Sequence, residues 1–473
     1  MPASGSSDPP SARSLAWAAS PTRELVRLAW PITVSTLSFS AMNLTATAFV
    51  ASIGSDELAG VGLAGVVAFA LVCFGVGLLR GAKTLVSQAI GAGRPDRVDP
   101  YLGAAVGLAL GFGALAMIAG QLLGPAVAAL CASPRAGTFA AEYLALRTLA
   151  APMVLVYSAL REARYGEGDS KSPMRAALAG NAMNIGVDIV LILGLGWGVK
   201  GAALGTLAGN AVELAVLAWP MRKRIAKLRW RPDAARAVWA QGVPNGLQFT
   251  MEVGAFLILT AIVAQMSSTD AAAHQLVLNL INVSFLPAHA IAEAAAILVG
   301  QAVGANRDAL VPRVARRAFV LGTSYAVAWT IGLVVLGGSL ARAFAQGDTV
   351  LVETATTLIH ISLVFLIADA ANVIARGVLR GTGDAKYAAW VGILTSWLTT
   401  PPLAWLLGIQ LGLGAAGGWI GLAGEIIVSA GLYWLRIVRG GWRGSAQASR
   451  ETIVRAPHAA ATEPIEQEHA AQA

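Results

Sequence analysis

Charge is scarce in this sequence: of 473 residues 13% are Asp, Glu, Lys or Arg, while 56% are hydrophobic and the mean hydropathy is +0.65. A soluble globular chain carries about twice that charged fraction, so a soluble fold is excluded. Cysteine is nearly absent as well. Cys73 and Cys131 are two isolated residues in or beside apolar segments, which rules out a disulfide framework or a cysteine metal cluster and leaves them as packing residues. Short alternating strands, the mark of a membrane β-barrel, do not dominate.

Enzyme signatures are missing too. The sequence has no His-Glu-x-x-His motif and no paired nucleophile and base, so an intramembrane enzyme lacks its chemistry. Gly91-Ala-Gly93 does not have the Rossmann spacing, and Gly166 to Lys171 does not complete a phosphate loop; both read as turns. ATP is therefore not expected as a driving force. His274 and His289 have no carboxylate or second histidine at i+4 within a metal motif, and are expected to be hydrogen bonders between helices.

What fills the chain is a series of apolar runs of 20 or more residues, broken by Gly and Pro. A spanning segment must satisfy its own backbone, so these read as helices. Twelve spans are expected from Leu25 to about Arg436. No basic stretch followed by an apolar core opens the chain, so residues 1–20 are expected to be a disordered cytoplasmic tail, and 438–473 a second polar cytoplasmic tail. The net charge of +8 is spread over alternate loops rather than gathered in one patch. Lys83, Arg94 and Arg97, then Arg164 and Lys171, then the run from Arg222 to Arg236, then Arg307 to Arg317, then Arg380 and Lys386 fall on one side. That asymmetry predicts cytoplasmic termini and gives no reason to expect nucleic acid as a partner.

The chain also repeats itself. Gln88-Ala-Ile-Gly-Ala-Gly-Arg94 returns as Gln301-Ala-Val-Gly-Ala-Asn-Arg307, offset by 213, and Pro31 returns as Pro244 at the same offset. Gly166-Glu-Gly-Asp-Ser-Lys171 returns as Gly381-Thr-Gly-Asp-Ala-Lys386 at 215, and Gly198 and Gly201 as Gly414 and Gly417 at 216. Such ordered self-similarity predicts a duplicated six-helix unit: an all-α, polytopic fold of two pseudo-symmetric bundles, 21–220 and 237–437, joined by a basic cytoplasmic linker at 221–236. Parallel repeats of this kind meet at an axis along the membrane normal with a cleft between them.

These residues resemble the multidrug and toxic compound extrusion (MATE) family: Leu28-Ala-Trp-Pro31, Gly75 to Leu79 running into Ser87 to Arg94, its echo at 300–307, Gly198 to Thr206, and Arg376 to Asp384. The resemblance spans roughly residues 25–437. It implies efflux of organic, often cationic, compounds in exchange for H⁺ or Na⁺ by alternating access, in a cell inner membrane, by a monomer that needs no cofactor besides the coupling ion. It further implies cation-coupling roles for Glu252 and Asp369, as in NorM-like members, and for Asn184 and Asp188, as in DinF-like members. In one place the chain departs from the family, since Ala46 stands where relatives carry a first-span aspartate. Thr45 and Thr47 beside it cannot carry a proton.

The residues support that reading on their own terms. Asp188, Glu252 and Asp369 are carboxylates inside apolar spans, and an ionisable group there is functional by default. Desolvation favours the protonated form and a bound cation the ionised one, so the two compete through one charge. The bland alternative is a protonated acid that ties two helices together. Arg80 and Glu293 each lie eight residues before a motif glutamine, at matching depth in opposite lobes, and are expected to form an inter-lobe ion pair at the cytoplasmic side. Thr206 and Asn279 complete the expected cleft and gate. A flippase for a lipid-linked saccharide is the competing transport reading; it would need a band of Arg and Lys along the cleft, whereas acids stand out here at mid-depth.

Overall fold

The computed structural model describes residues 15–344 and 348–455, and among these it is helical throughout. The helices are α1 (Pro21–Ala51), α2 (Ser55–Gly91), α3 (Val98–Ala129), α4 (Pro134–Thr148), α5 (Ala151–Gly166), α6 (Lys171–Asp188) and α7 (Gly198–Ala218) in the first lobe. A short basic helix, α8 (Arg222–Ile225), lies in the connection. The second lobe has α9 (Pro232–Ala264), α10 (Ser268–Gly304), α11 (Leu310–Phe344), α12 (Thr349–Gly381), α13 (Ala385–Leu403) and α14 (Gly414–Val438). A further helix, α15 (Arg443–Arg455), follows.

Among the described residues ten helices are long and apolar enough to cross a membrane, and α4 with α5, bent by 44° at Leu149–Ala150, makes an eleventh span. Pro152 lies at the start of α5, just past that break, where its missing N–H costs the helix nothing. α13 continues through a π-helical stretch, Ala404–Gln410, and stands where the twelfth expected span falls.

The duplication is visible in the backbone itself. α6 ends in a π-helical stretch, Ile189–Gly194, as α13 does, and the two begin 215 residues apart. Gly93 closes the turn after α2 with φ of 65°, and its counterpart Asn306 does so after α10 with φ of 57°. Asparagine is the side chain that tolerates this left-handed region best after glycine, so the second copy keeps the turn without the glycine.

The motif glutamines and glycines explain themselves at the crossing of α2 and α10. A Cβ on Gly91 would collide with the Gln301 carbonyl, and one on Gly304 would collide with the Gln88 carbonyl. The same contact is thus made twice across the pseudo-twofold axis, with helix backbones touching as small residues permit. Each glutamine is also held by a chain end. Gln301 accepts a hydrogen bond of 2.7 Å from Trp17 Nε1, and Gln88 accepts one from the Ser449 hydroxyl on α15 while donating to the Gly381 carbonyl at 3.0 Å. α15 reaches both lobes: Arg450 pairs with Asp308 at 2.5 Å, and the Ile453 carbonyl accepts from Arg94 at 3.3 Å. Residues 15–20, expected in a disordered tail, therefore include an ordered turn, Ala16–Ala19, that touches the second lobe. The rest of the two expected tails, 1–14 and 456–473, lies outside the described residues.

The first helix of each lobe starts in the core of the other. Leu25, Leu28, Ala29 and Ile32 of α1 are buried among Ile291, Leu298, Val314 and Ile374, while Ala234, Ala235 and Val238 of α9 are buried among Leu78, Leu102 and Leu160. Pro31 and Pro244 sit inside these two helices close to where the exchange ends. The lobes are therefore sealed on the side that carries the basic loops.

Breaking the seal is a direct test. Ser87 is fully buried, packed against Gly300. With Cys73 and Cys131 replaced by Ala, a Ser87→Cys probe should react with a membrane-impermeant maleimide about tenfold faster once Gly304→Val is added, the equivalent of ~1.4 kcal/mol in the closure equilibrium. Equal rates would mean that the glycine contact does not hold the lobes shut.

Candidate functional site

Each lobe holds a buried acid, in surroundings of different kinds. In the first lobe α6 and α7 approach closely because α7 presents Gly205 and Gly209 and α6 presents Gly180. A Cβ on Gly209 would lie 2.9 Å from the Asn184 Cβ, and one on Gly205 would strike Asp188 Oδ1. The glycines thus make the space in which Asn184 and Asp188, one turn apart on α6, are held. Asp188 is 1% exposed, and among the described residues neither carboxylate oxygen has a hydrogen-bond partner. Asn184 Oδ1 is likewise unpartnered, while its amide lies 3.5 Å from Thr206 Oγ. Asn184, Asp188 and Thr206, expected as site residues, come together here. Asn181, a turn earlier, donates to Ser38 on α1 at 2.8 Å.

In the second lobe α9, α12, α13 and α14 enclose a cavity of about 150 Å³. Glu252 lines it, but with its charge already matched: Arg376 Nη1 lies 2.7 and 2.8 Å from its two oxygens, and Gln248 donates to it at 2.8 Å. A second acid, Glu425, faces the same cavity and accepts a hydrogen bond of 2.6 Å from Thr400. Asn372 and Tyr433 complete the polar lining, tied to Ser429 at 2.5 Å and to the Ala388 carbonyl at 2.8 Å. Neither Arg376 nor Glu425 was expected as a site residue. The signal was present, since each is an ionisable residue inside an apolar helix, as Asp369 is.

Asp369 does not share this cavity. It lies seven residues before Arg376 on α12 and lines a small void of about 10 Å³ with Ser284, Trp329 and Leu366, between α10, α11 and α12. Asn279 is exposed on α10. His274 is held between Trp419 Nε1, which donates to its Nδ1 at 3.1 Å, and Thr260 at 3.4 Å, as a hydrogen bonder between helices should be.

The expected pair of Arg80 and Glu293 is not formed. Glu293 pairs instead with Lys83, which also lies 3.3 Å from Glu162 of α5, and Arg161 pairs with Glu162 at 3.0 Å. Arg80 does cross to the second lobe, where its guanidinium lies over the Phe249 ring at 4.9 Å. Equal offset from the repeat sets depth but not direction around the helix. Lys83 is three residues nearer the seal, ~4.5 Å by helical rise, and its long stem, tilted toward the helix N-terminus, spans that difference. An inter-lobe ion pair exists, with a different cation from the one expected.

Two stretches, 31–190 and 244–406, match the family model MatE, one in each lobe. The chain belongs to the MatE family. Among its curated relatives, a probable multidrug resistance protein NorM of Bradyrhizobium diazoefficiens is 32% identical, over 87% of this chain and 92% of that one. A protein of the same description from Deinococcus radiodurans is 31% identical, over 88% and 96%. The fold is similar to that of a MOP superfamily transporter from Pyrococcus furiosus, with a TM-score of 0.83 at 21% identity, covering 91% of this chain and 97% of that one. It is equally similar to the eukaryotic MATE transporter AtDTX14, with a TM-score of 0.83 at 17% identity, covering 92% and 99%.

Membership in the MatE family makes the chain a multi-pass membrane transporter rather than an enzyme. Ala46 is half-buried on α1, and the neighbouring Thr45 and Thr47 hydroxyls donate to the Ala41 and Asn43 carbonyls of their own helix at 2.9 and 2.8 Å. Asp188 is left as the acid of the α6–α7 site.

The charge contacts rank two substitutions. Lys83→Met leaves Glu162 and Glu293, both nearly buried, without their shared cation and should cost about 3–5 kcal/mol. Arg80→Met removes one cation–π contact and should cost about 1 kcal/mol. Thermal unfolding of the purified variants checks the order; a larger loss from Arg80→Met would contradict it. Gly205→Ala should destabilise the parent, through its clash with Asp188, more than it destabilises an Asp188→Ala background.

Proposed function

We propose that this chain is a multidrug efflux antiporter of the inner membrane, which exports amphipathic organic cations in exchange for H⁺ or Na⁺ by alternating access. It works as a monomer in the lipid bilayer, has both termini in the cytoplasm and needs no cofactor beyond the coupling ion. The names of its NorM relatives support multidrug efflux. The observation that carries the coupling is Asp188, buried beside Asn184 and Thr206 with both oxygens unpartnered among the described residues. An unpaired ionised carboxylate in a low-dielectric interior costs several kcal/mol, so the group takes a proton or a cation. One charge cannot hold both at once, and that exclusion couples the two flows.

The sealed contact of α2 with α10 supports the other half of the cycle. A transporter closed toward the basic loops is one of the two states that alternating access needs, and the proline-bearing helices α1 and α9, which run between the lobes, are placed to bend when that contact opens. Glu252, neutralised by Arg376, serves as a fixed element of the second-lobe cavity in this reading, while Asp369 remains a second candidate carrier.

Proteoliposomes decide the matter. With a fluorescent lipophilic cation and separately imposed H⁺ and Na⁺ gradients, the parent should move the cation uphill under one of them. Asp188→Asn should reduce that uphill transport by about tenfold or more, within the range of coupling between two ligands. Gradient-driven transport in Asp188→Asn as steep as in the parent would remove Asp188 from the mechanism, and a parent indifferent to both gradients would remove antiport.

A further inference from the structure

The second-lobe cavity contains two acids and one base. Arg376 is committed to Glu252, touching both of its oxygens. Glu425 is 9% exposed, lines the cavity, and has no cation within ion-pair distance among the described residues; its bonded neighbour is the Thr400 hydroxyl at 2.6 Å. Helical rise places it about 17 Å from the Gly414 end of α14, near the middle of a ~30 Å hydrocarbon layer. Ionised, it would leave the cavity one negative charge in excess.

From this geometry we propose that Glu425 is the exchangeable acid of the second lobe, carrying a proton in one state and a monovalent cationic group in the other. The titratable groups facing it are Glu252 from α9, Arg376 from α12 and Tyr433 from its own α14, while α13 offers the hydroxyls Ser396 and Thr400. Asp369 stands apart, in its own void. No other group in the cavity is free to take the charge, because Glu252 gives up its cation partner only if Arg376 moves. The space suits a compact guest. About 150 Å³ is the volume of a cavity that accepts benzene, so it admits a bare or partly hydrated sodium ion, or a small ammonium group, together with the proton's site.

The exchange is a simple one. The carboxylic acid O–H bond breaks and its proton leaves to water as the cation enters, and the carboxylate then faces the cation with the Thr400 hydroxyl still donating to its other side. Nothing is oxidised or reduced. Glu425 deepens the antiport reading, and it rests on that reading only for the use to which the exchange is put.

The binding step can be measured without transport. Purified protein in detergent and weak buffer should release protons when sodium chloride or, in a separate arm, tetramethylammonium chloride is added, and the arm that releases them identifies the source of the cationic group. Glu425→Gln should lower the release by about one proton per chain, Glu425→Asp should retain it, and Asp188→Asn should leave this component in place. Release from Glu425→Gln equal to that of the parent overturns the proposal, as does silence of the parent in both arms. Should Glu425→Gln fail to fold, Thr400→Val preserves the acid and removes the hydroxyl that favours its ionised form. Its release should then move to higher pH, and an unmoved profile overturns the proposal too. Gradient indifference of the parent in proteoliposomes would defeat antiport while leaving proton release at Glu425 standing, so the two failures are distinguishable.

Discussion

Backbone meets backbone where α2 crosses α10, and the rest of the molecule is arranged around that contact. Two glycines, Gly91 and Gly304, are what allow it, each lying under the carbonyl of the other helix's glutamine. The approach brings Lys83 to Glu293 and Glu162. It also sets Gln88 and Gln301 where the two chain ends can bind them. Packing of this kind has two arrangements rather than a continuum, which is the property a gate requires. The contact is made twice, once by each repeat, so both copies hold the crossing by the same feature.

Low dielectric governs the charges in a similar way. Inside the spans, Lys83, Arg161, Glu162, Glu293, Glu252 and Arg376 are all paired, and such pairs hold geometry at little net gain in stability. Asp188 and Glu425 have no cation partner among the described residues. The two lobes solve the problem of a buried acid differently: the first seats it in a glycine-lined seam between two helices, the second gives it a cavity beside an ion pair. The duplicated scaffold is shared, and the chemistry placed on it is not.

Much of the scaffold was legible in the sequence. Span count, duplication and lobe arrangement follow from apolar runs and repeated turn motifs, because the backbone of each span must close on itself and each copy reuses the same turns. The repeat even carries over to the left-handed turn at Gly93 and Asn306. Side-chain partnerships were less legible. Arg80 and Glu293 share a depth, yet the direction each takes around its helix decided for Lys83. Glu252 stood out as an acid in an apolar run, but nothing in its neighbourhood along the chain announces Arg376, which arrives from a helix 124 residues away. Separation along the chain hid Glu425 as well, whose meaning depends on a charge count over four helices. Asp188 and Asn184 were readable because they lie one turn apart on a single helix, and the glycines that shelter them follow soon after in the next helix.

The exchange of first helices has a consequence for what counts as a folding unit. Leu25, Leu28 and Ile32 find their burial in the second half, and Ala234, Ala235 and Val238 find theirs in the first. Neither half of the chain can therefore close its own core; each would present an uncovered groove and a loose helical arm that fits the other's groove. Two copies of a single six-helix unit would satisfy both needs by trading arms about a twofold axis, as domain-swapped dimers do. In the fused chain that reciprocity survives as a covalent pair of arms, so each half is bound to the other by a segment that belongs to the other's core.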